Sequence, residues 1–343
     1  MNNLTGLFLF PWLVSTLIAF VVTSLVIRFA RRLKIMDDPA KNKHPKVIHT
    51  YPVPRGGGIP IFAALLVGSL IFLPVDPKVI GILAGALILT VMGYLDDRLN
   101  LNPYLRLFIG FIAASMPIAA GIGISFISNP LGGIINLNWM VSDLFAVFWI
   151  TFLMNIVNMG AKGVDGQLSG VTVVSALTIA FLSLKFSADL TQWPVIILAA
   201  ITGGAYFGFL PWHVYPQKIM PGYGGSTLAG YMLAVLSILS TTKVGALMVV
   251  LGVPLIDTGY TIMRRILSGK SPVWGDRGHL HHRLLDAGLT KMQVALLYWG
   301  ITAILGLLAL NLNTATKLYT MIGIAFALGA LILFLTRKKA DNA

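Results

Sequence analysis

Two adjacent carboxylates, Asp96 and Asp97, follow an apolar stretch over residues 79–95 that is long enough to cross most of a bilayer. Neighbouring carboxylates at the end of such a helix repel each other and lose hydration, so a purely structural role does not require both. A bound divalent cation or a proton transfer would use the pair. The simpler alternative is that Asp96, Asp97 and Arg98 form a solvated helix end.

A second polar group follows another apolar stretch. Asn155 and Asn158 are three residues apart and share one helix face, and they precede a glycine-punctuated turn that holds Lys162 and Asp165. Asparagine at the end of an apolar span is costly without partners, which favours a binding role. Helix capping on both sides of a tight turn is the alternative.

Two helix starts are rich in glycine, at residues 56–58 and 222–226. Glycine before a helix leaves backbone N–H groups free for an anion, and the guanidinium of Arg55 can hold a phosphate with two hydrogen bonds. Lys41 and His49 lie in the same loop as Arg55. These features predict a phosphate site, although a flexible helix start beside basic membrane anchors gives the same pattern.

Imidazoles concentrate near residue 280, where His279, His281, His282 and Arg283 fall within one short segment. Zinc is the first ligand to consider, but the chain has no cysteine, and this segment lacks a second ligand cluster. Imidazole and guanidinium together also suit a diphosphate. A basic loop that faces lipid headgroups is the alternative.

Another carboxylate, Asp257, lies near the end of the apolar stretch over residues 244–262. Arg264 follows it by about two helical turns, so the two side chains can share one face and belong to the same site. The alternative is that Asp257 is a buried partner of a neighbouring lysine or arginine.

The composition predicts an integral membrane protein, in one domain over residues 1–343. Hydrophobic residues make up 57% of the chain and charged residues 11%, against roughly 25% charged in soluble domains, and the mean hydropathy is +0.84. There is no glutamate, so any carboxylate chemistry falls to aspartate. The net charge of +13 is typical of cytoplasmic loops near anionic lipid in such a chain, and no nucleic-acid partner is predicted.

Apolar runs of about 17–25 residues predict an all-α polytopic membrane protein with eleven transmembrane helices. The first run has no basic flank and no small-residue cleavage site, so we expect a retained helix rather than a signal peptide. Residues 124–142 predict a hairpin or a re-entrant turn. The eleven predicted spans lie near residues 7–27, 58–74, 79–95, 105–123, 143–158, 168–185, 194–211, 225–241, 244–262, 292–311 and 318–336.

The basic residues predict the orientation. If the loop after the first span is cytoplasmic, only Lys78, Lys185, Lys243 and Lys317 of the 25 lysines and arginines fall on the opposite side. This asymmetry predicts an outside N-terminus and a cytoplasmic C-terminus. All six histidines and most aspartates also fall on the cytoplasmic side. We therefore expect an active site on cytoplasmic loops of a plasma-membrane protein, and the nearly uncharged span centres argue against an ion-coupled transporter.

Four motifs occur in an order that is specific in combination, over about residues 41–289. On these motifs the chain resembles the polyprenyl-phosphate N-acetylhexosamine-1-phosphate transferases, the WecA/TagO/MraY superfamily of glycosyltransferase family 4, and is more similar to its WecA/TagO side. The motifs are Lys41…His49…Pro52-Val-Pro54-Arg55-Gly-Gly-Gly58; Gly93-Tyr-Leu-Asp96-Asp97-Arg98; Asn155-x-x-Asn158…Asp165-Gly166; and Val253-Pro254-Leu-Ile-Asp257-Thr258…Arg264-Arg265…Gly278-His-Leu-His-His-Arg283.

The resemblance implies transfer of a sugar-1-phosphate, an N-acetylhexosamine-1-phosphate, from a UDP-sugar to polyprenyl (undecaprenyl) phosphate. UMP would be released, at the first membrane step of cell-envelope glycan synthesis. The partners would be these two substrates and the bilayer, and a homodimer is compatible with the family. Mg²⁺ would be the cofactor, with Mn²⁺ as a substitute.

By the same resemblance, Asp96 or Asp97 would activate the lipid phosphate oxygen, and the segment from His279 to Arg283 would contact the diphosphate. The expected catalytic residues are Asp96, Asp97, Asp165 and His281, and the first three are also the expected metal ligands. The expected substrate-binding residues are Lys41, His49, Arg55, Asn155, Asn158, Lys162, Asp257, Arg264, His279, His282 and Arg283.

Two carboxylates of the family pattern are absent. The turn after Asn158 is one residue longer than usual and lacks its first aspartate, and Tyr223 stands where the family has Gly-Asp-x-Gly-Ser. We hypothesise that Asp96, Asp97 and Asp165 hold a single Mg²⁺, and that Lys162 supplies the positive charge of a fuller metal site. The alternatives are a non-catalytic relative that binds polyprenyl phosphate or UDP-sugar, and a transporter.

Overall fold

Helices form most of the protein in a computed structural model that describes residues 4–40, 47–129, 132–185, 188–240, 243–271 and 277–341. A π-helical turn, Thr5–Leu9, leads into the first helix, and a 3₁₀ turn, Leu190–Gln192, leads into the seventh. The α-helices are α1 (Phe10–Arg32), α2 (Gly58–Phe72), α3 (Pro77–Leu99), α4 (Pro103–Ala119), α5 (Trp139–Gly160), α6 (Gln167–Lys185), α7 (Trp193–His213), α8 (Gly222–Leu239), α9 (Lys243–Val250), α10 (Gly252–Leu267), α11 (Leu280–Asp286), α12 (Lys291–Ala309) and α13 (Thr314–Asp341).

Two short antiparallel ribbons interrupt the helices. Strand β1 (Met36–Asp37) pairs with β2 (Val53–Pro54), and β3 (Phe126–Ser128) pairs with β4 (Ile134–Asn136). The second ribbon lies within the predicted turn over residues 124–142, with Phe126 opposite Asn136. The hairpin reading of that stretch is therefore confirmed.

Local capping fixes the connection between α3 and α4. Helix α3 ends at Asn100, which adopts the left-handed conformation with φ 51°, one of the few non-glycine types that does so readily. Two residues later, the side chain of Asn102 accepts the Tyr104 N–H at 2.8 Å and caps α4, which starts with Pro103. This tight turn places Asp96 and Asp97 beside the first turns of α4.

The membrane character predicted from the sequence is confirmed at the level of helix length and composition. Among the described residues, eight helices are long and apolar enough to cross a bilayer, or nine if the bent pair α9–α10 forms one span. Each of the eleven predicted spans falls on a helix or on that pair. Helices α2 and α4 have 15 and 17 residues, short for a full crossing, so eleven crossings stay a prediction.

The ninth predicted span, residues 244–262, is broken rather than straight. Helices α9 and α10 meet at an angle of 81°, with Leu251 between them. Gly252 and Pro254 open α10, and a proline cannot continue the hydrogen-bond ladder of a preceding helix. The bend therefore sets the direction of α10, the helix that carries Asp257.

Helix α8 lies at the centre of the packing. In the most apolar part of α8, 94% of the residues are buried, against 11% in the corresponding part of α13. Helix α13 therefore lies at the periphery. Helix α8 packs on α2, α3 and α5. A Cβ at Gly93 of α3 would overlap the backbone of Gly224 of α8, so these two helices touch backbone to backbone at a pair of glycines. That contact brings the end of α3 against the start of α8.

Candidate active site

One polar cavity of about 740 Å³ opens where the carboxyl ends of α3, α5 and α7 meet the start of α8 and the segment around α11. Segments far apart in sequence therefore form its walls. The predicted site residues that line it are Asp96, Asp97, Asp165, His49, Arg55, Asn158, Lys162, His279, His281 and His282.

The two adjacent carboxylates have different surroundings. Arg106 Nη1 lies 3.2 and 3.1 Å from the two oxygens of Asp96, and Asp96 also accepts the Leu101 N–H at 3.1 Å. The guanidinium of Arg106 in turn lies over the ring of Tyr223, 5.0 Å from its centroid. Asp96 is thus held by an ion pair and a helix-end hydrogen bond, which fits a supporting role.

Asp97 is held by backbone amides instead. It accepts the Gly56 N–H at 3.0 Å and the Tyr223 N–H at 3.4 Å. Its carboxylate occupies the space that a Cβ at Gly222 would need, and Gly222 has a φ of 65°, so only glycine fits there. The two glycine-rich helix starts therefore hold a carboxylate of the protein, rather than serving only as an empty anion cradle.

Lys162 projects into the same region. Its Nζ lies 2.9 Å from Asn158 Oδ1, 3.2 Å from the Gly222 carbonyl and 3.3 Å from Ser226 Oγ. Ser226 donates its own hydroxyl to Asn158 at 2.6 Å. The ammonium is therefore placed by oxygens from α5 and α8.

Asp165 is almost completely buried, and its Oδ2 has no hydrogen-bond partner among the described residues. Lys291 Nζ is 3.7 Å from that oxygen. Burial raises the pKa of Asp165 above its ordinary value, against the opposing effect of Lys291. The nearby Tyr51 hydroxyl also has a raised pKa, first because of burial and then because of Asp165. Asp165 is thus a destabilised carboxylate directed at a ligand site.

The imidazoles stack on one another at the cavity wall. The rings of His279 and His281 are 5.5 Å apart and nearly parallel, and those of His281 and His282 are 4.3 Å apart. A Cβ at Gly163 would overlap the ring of His281, so the glycine turn after α5 makes room for it. Burial, with the neighbouring imidazoles, lowers the pKa of His281 well below its ordinary value, and the ring is neutral at physiological pH.

Four predicted site residues lie away from the cavity wall. Asn155 donates to the Thr151 carbonyl, and Arg283 donates to the Gly278 carbonyl and the Thr336 hydroxyl. Asp257 is hydrogen-bonded to His279, which lies between it and the cavity. Arg264 lines a separate basic cavity of about 350 Å³. Lys41, the remaining predicted residue, lies outside the described residues.

The structure adds residues that the sequence motifs did not single out as site members. Gln217 lines the cavity, and Arg265, rather than its neighbour Arg264, reaches it while staying buried. The helical period of α10 favoured Arg264 instead, because seven residues after Asp257 come closer to two whole turns than eight do. Gln217 lies in a loop, where no helical period applies.

The carboxylates do not form the predicted three-ligand metal centre. Within the described part of the chain, no three aspartate or histidine side chains converge closely enough to hold one ion. Asp96 is engaged by Arg106, Asp97 by two amides, and Asp165 by Lys291 at longer range. The residues present therefore do not fit a preformed centre made by Asp96, Asp97 and Asp165 together.

The fold and the cavity together define an integral membrane protein with a cation-rich, carboxylate-containing site at one end of its helix bundle. A sequence profile described as "Glycosyl transferase family 4" matches residues 79–241. One relative, the probable undecaprenyl-phosphate N-acetylglucosaminyl 1-phosphate transferase of Bacillus subtilis (strain 168), is 32% identical over 89% of this chain and 85% of its own. The chain belongs to glycosyl transferase family 4.

Two more distant relatives have similar names. The decaprenyl-phosphate N-acetylglucosaminephosphotransferase of Mycobacterium leprae (strain TN) is 27% identical over 96% of this chain and 90% of its own. The undecaprenyl-phosphate alpha-N-acetylglucosaminyl 1-phosphate transferase of Thermotoga maritima is 27% identical over 87% of this chain and 88% of its own. In all three relatives the similarity covers most of this chain and most of the relative.

Proposed function

We propose that this protein is a glycosyl-1-phosphate transferase that moves N-acetylglucosamine 1-phosphate from UDP-N-acetylglucosamine to polyprenyl phosphate. An oxygen of the lipid phosphate attacks the sugar-bearing phosphorus, the bond from that phosphorus to the bridging oxygen breaks, and UMP leaves. The products are UMP and a polyprenyl diphosphate that carries the sugar. The names of the three relatives support the polyprenyl-phosphate acceptor and the transferred group.

The observation that carries this proposal is the collection of opposite charges in one cavity at the ends of apolar helices. Phosphoryl transfer depends mainly on positioning and on neutralising phosphate charge. The lining cations Arg55, Lys162 and Arg265 can do both. A cavity at the ends of membrane helices would let a lipid phosphate, whose tail stays in the bilayer, meet a water-soluble nucleotide.

Among the carboxylates, Asp97 is best placed to act on the lipid phosphate. Its neighbour Asp96 is bound to Arg106, whereas Asp97 is oriented by amides of Gly56 and Tyr223 that leave its charge uncompensated by a direct ion pair among the described residues. A phosphate monoester has a second pKa of about 6, so it is mostly deprotonated at neutral pH. A base then has to remove a proton only from the remaining fraction. Asp97 would accept that proton and keep the attacking oxygen free.

We also propose that transfer depends on Mg²⁺, although the aspartates by themselves do not form a complete metal site. A divalent ion neutralises phosphate charge during transfer. Asp97 and Asp165 both line the cavity, and within the described part of the chain neither forms a direct ion pair with a guanidinium; phosphate oxygens of the substrate would have to complete the ligand set. Loss of turnover in EDTA, with recovery on adding Mg²⁺ or Mn²⁺, would support the requirement; full turnover in EDTA would remove it.

Radiolabelled UDP-sugars and undecaprenyl phosphate, added to membranes that contain the expressed protein, test the proposal. We expect UMP release and a labelled lipid product with UDP-N-acetylglucosamine, and membranes without the protein serve as the control. No transfer from any UDP-N-acetylhexosamine would contradict the proposal. Binding of a UDP-sugar without UMP release would instead indicate a non-catalytic relative.

A further inference from the structure

The second cavity, of about 350 Å³, lies at the carboxyl end of α10 and takes no part in the proposed transfer reaction. Most of the described residues that line it are lysine or arginine, and none of them is a carboxylate. Guanidinium and ammonium groups around one cavity favour an anionic ligand, above all a phosphate. The described lining residues are Arg264, Arg265, Ser268, Lys270, Arg277 and Gly278.

The backbone at this end of α10 is fixed by its own hydrogen bonds. Gly269 has a φ of 67°, and its N–H donates to the Ile266 carbonyl at 3.0 Å. The Lys270 N–H donates to the Arg265 carbonyl at 2.8 Å. This is the Schellman arrangement, in which a left-handed glycine closes a helix. It turns the chain back, so that Lys270 lies on the same cavity as the two arginines of the last helical turn.

The arginines of the wall are also held in place. A Cβ at Gly278 would overlap the guanidinium of Arg264, so a glycine at this position leaves room for that side chain. Arg277 Nη2 lies 3.0 Å from Asp286 Oδ1 in an exposed ion pair, which compensates only part of its charge in water. Asp286 itself is not among the lining residues. The described wall therefore presents cations to the cavity from two separate segments of the chain.

The outer side of α10, next to this cavity, is apolar. Tyr260, Met263, Ile266 and Leu267 are all exposed, and Leu267 is exposed to 82%. Their spacing of three and four residues places them along one side of the helix, whereas the buried side carries Asp257. An exposed apolar side of this length in a membrane protein is explained by contact with lipid acyl chains.

The direction of α10 agrees with a position at the membrane surface. The 81° angle between α9 and α10 does not allow both helices to run along the bilayer normal. The last turn of α10 carries Arg264 and Arg265, on the side predicted to be cytoplasmic. A helix with one apolar side and a basic end is typical of a segment that lies in the interface, with its cations among the lipid phosphates. Basic pockets beside membrane helices on that side suit anionic headgroups.

We propose that the second cavity binds the headgroup phosphate of an anionic membrane phospholipid, whose acyl chains lie along the exposed apolar side of α10. The cations of the wall select an anionic lipid over a zwitterionic one. The neighbouring Ile266 and Leu267 favour a lipid over a soluble phosphate, because only a lipid covers them. Arg265 lines both cavities, so the bound lipid stabilises the wall that the two cavities share.

Fluorescence quenching at α10 tests the proposal. The chain has no native cysteine, so Leu267→Cys can carry a single fluorophore in the full-length protein, placed in nanodiscs of phosphatidylcholine. Phosphatidylglycerol with brominated acyl chains should quench the fluorophore at low mole fractions, at which brominated phosphatidylcholine does not. This result would show that an anionic lipid gathers at the end of α10 in preference to a zwitterionic one.

Charge-removing variants in the labelled protein connect the quenching to the cavity. Lys270→Gln should need about 5-fold more phosphatidylglycerol for half-maximal quenching, and the double variant Arg264→Gln/Lys270→Gln about 25-fold more, the effect of one and two lost basic charges at a lipid surface. Lys270 is exposed, so its single variant should fold even if the double variant does not. Lys218→Gln is the matched control, because Lys218 lies on the ring of Trp212, away from this cavity.

Several outcomes would overturn the proposal. Equal quenching by the two brominated lipids would show that the lipid contact is not selective for charge. Equal half-maximal quenching in Lys270→Gln and Lys218→Gln would show that the cavity is not the site. Relief of quenching by inorganic phosphate or UDP would identify a site for a soluble anion, and relief by stoichiometric undecaprenyl phosphate a site for the acceptor substrate. No UDP-sugar is turned over in these measurements, so their result does not depend on the proposed function.

Discussion

At the scale of single residues, Lys162 is a cation held in place by three oxygen atoms of α5 and α8. Its ammonium is fixed by Asn158, Gly222 and Ser226, so it acts as a placed positive charge rather than a mobile surface lysine. The sequence hypothesis that Lys162 supplies charge to the site is compatible with this position. It stays a prediction until the variant is measured.

We expect Lys162→Met to reduce UMP release by at least about 100-fold, because removal of one preorganised electrostatic contact in a closed site has an effect of that size. Methionine keeps most of the side-chain volume, so the fold should persist. Lys218→Met is the control, because Lys218 lies on the ring of Trp212, away from the cavity wall. Equal turnover in both variants would exclude the charge role.

The two adjacent aspartates should respond differently to the same change. Asp97→Asn should lower turnover about 10²- to 10⁴-fold, the range for loss of a general base, with little change in melting temperature. Asp96→Asn weakens the pair with Arg106 and should lower the melting temperature with a smaller effect on turnover. Parallel activity and thermal-shift measurements decide, and the reverse ranking would show that Asp96 is the reacting carboxylate.

Asp165 should show a conflict between stability and activity. Its folded-state pKa is raised above the ordinary 3.8, so the proton that stabilises the folded state is lost as pH rises through that raised value. Asp165→Asn, which does not titrate, should therefore melt above the wild type at pH 8 and lose this advantage as pH falls toward 4. Its transfer activity should be lost.

Melting curves in detergent across this pH range check the prediction. Asp76→Asn is the comparison, because Asp76 caps the far end of α3 and asparagine caps equally well. A difference in melting temperature between Asp165→Asn and the wild type that stays constant with pH would show that burial does not penalise the Asp165 carboxylate.

At the scale of helices, the contact between α3 and α8 sets the geometry of the site. Gly93 and Gly224 meet backbone to backbone, and Asp96 and Asp97 follow Gly93 by three and four residues. Any side chain between the two helices would separate Asp97 from the Tyr223 amide at the start of α8. The position of Asp97 and the stability of the fold therefore both depend on the contact between α3 and α8.

We expect Gly93→Ala to destabilise the protein by about 1–3 kcal/mol, the usual effect of overpacking, and to lower transfer activity because Asp97 moves. The matched control is Gly300→Ala in α12, where an added Cβ meets no atom within 4 Å. Alanine there should be neutral or stabilising. Melting temperatures and UMP release for both variants provide the measurement, and wild-type behaviour of Gly93→Ala would contradict the close crossing.

The helices could be predicted from the sequence to a large extent, because hydropathy over about 20 residues reports directly on membrane helices. The break at Leu251 could not be predicted from the sequence. Glycine and proline are tolerated inside membrane helices, so their presence does not indicate an 81° bend. The site was predicted as a set of residue types at helix ends. The contacts between the site residues were not predicted. The contact of Asp257 with His279, for example, joins residues 22 positions apart, and no helical or strand period relates them.

At the scale of the whole molecule, the orientation in the membrane is the property that the charge asymmetry predicts and the helix packing alone does not fix. The cavity residues belong to segments predicted to be cytoplasmic, and the β3–β4 ribbon belongs to one predicted to lie outside. If this is correct, the site faces the compartment in which UDP-sugars are made.

The absence of native cysteine makes the orientation measurable with single substitutions of similar size. Ser128→Cys at the end of β3 should react with a membrane-impermeant maleimide on intact cells. Ser268→Cys, directly after α10, should react only after permeabilisation. Both serines are exposed, so lack of reaction reflects sidedness rather than burial. The opposite pattern would invert the predicted topology.

The cavity walls come from segments that stretch from the loop before α2 to the histidine segment, and Lys291 at the start of α12 reaches back to Asp165. The ribosome synthesises these segments in order, so the pocket is incomplete until the last of them has left it. During biogenesis the bilayer therefore contains an inserted but inert chain. Competence to bind a nucleotide arises late, only after almost the entire polypeptide has been integrated.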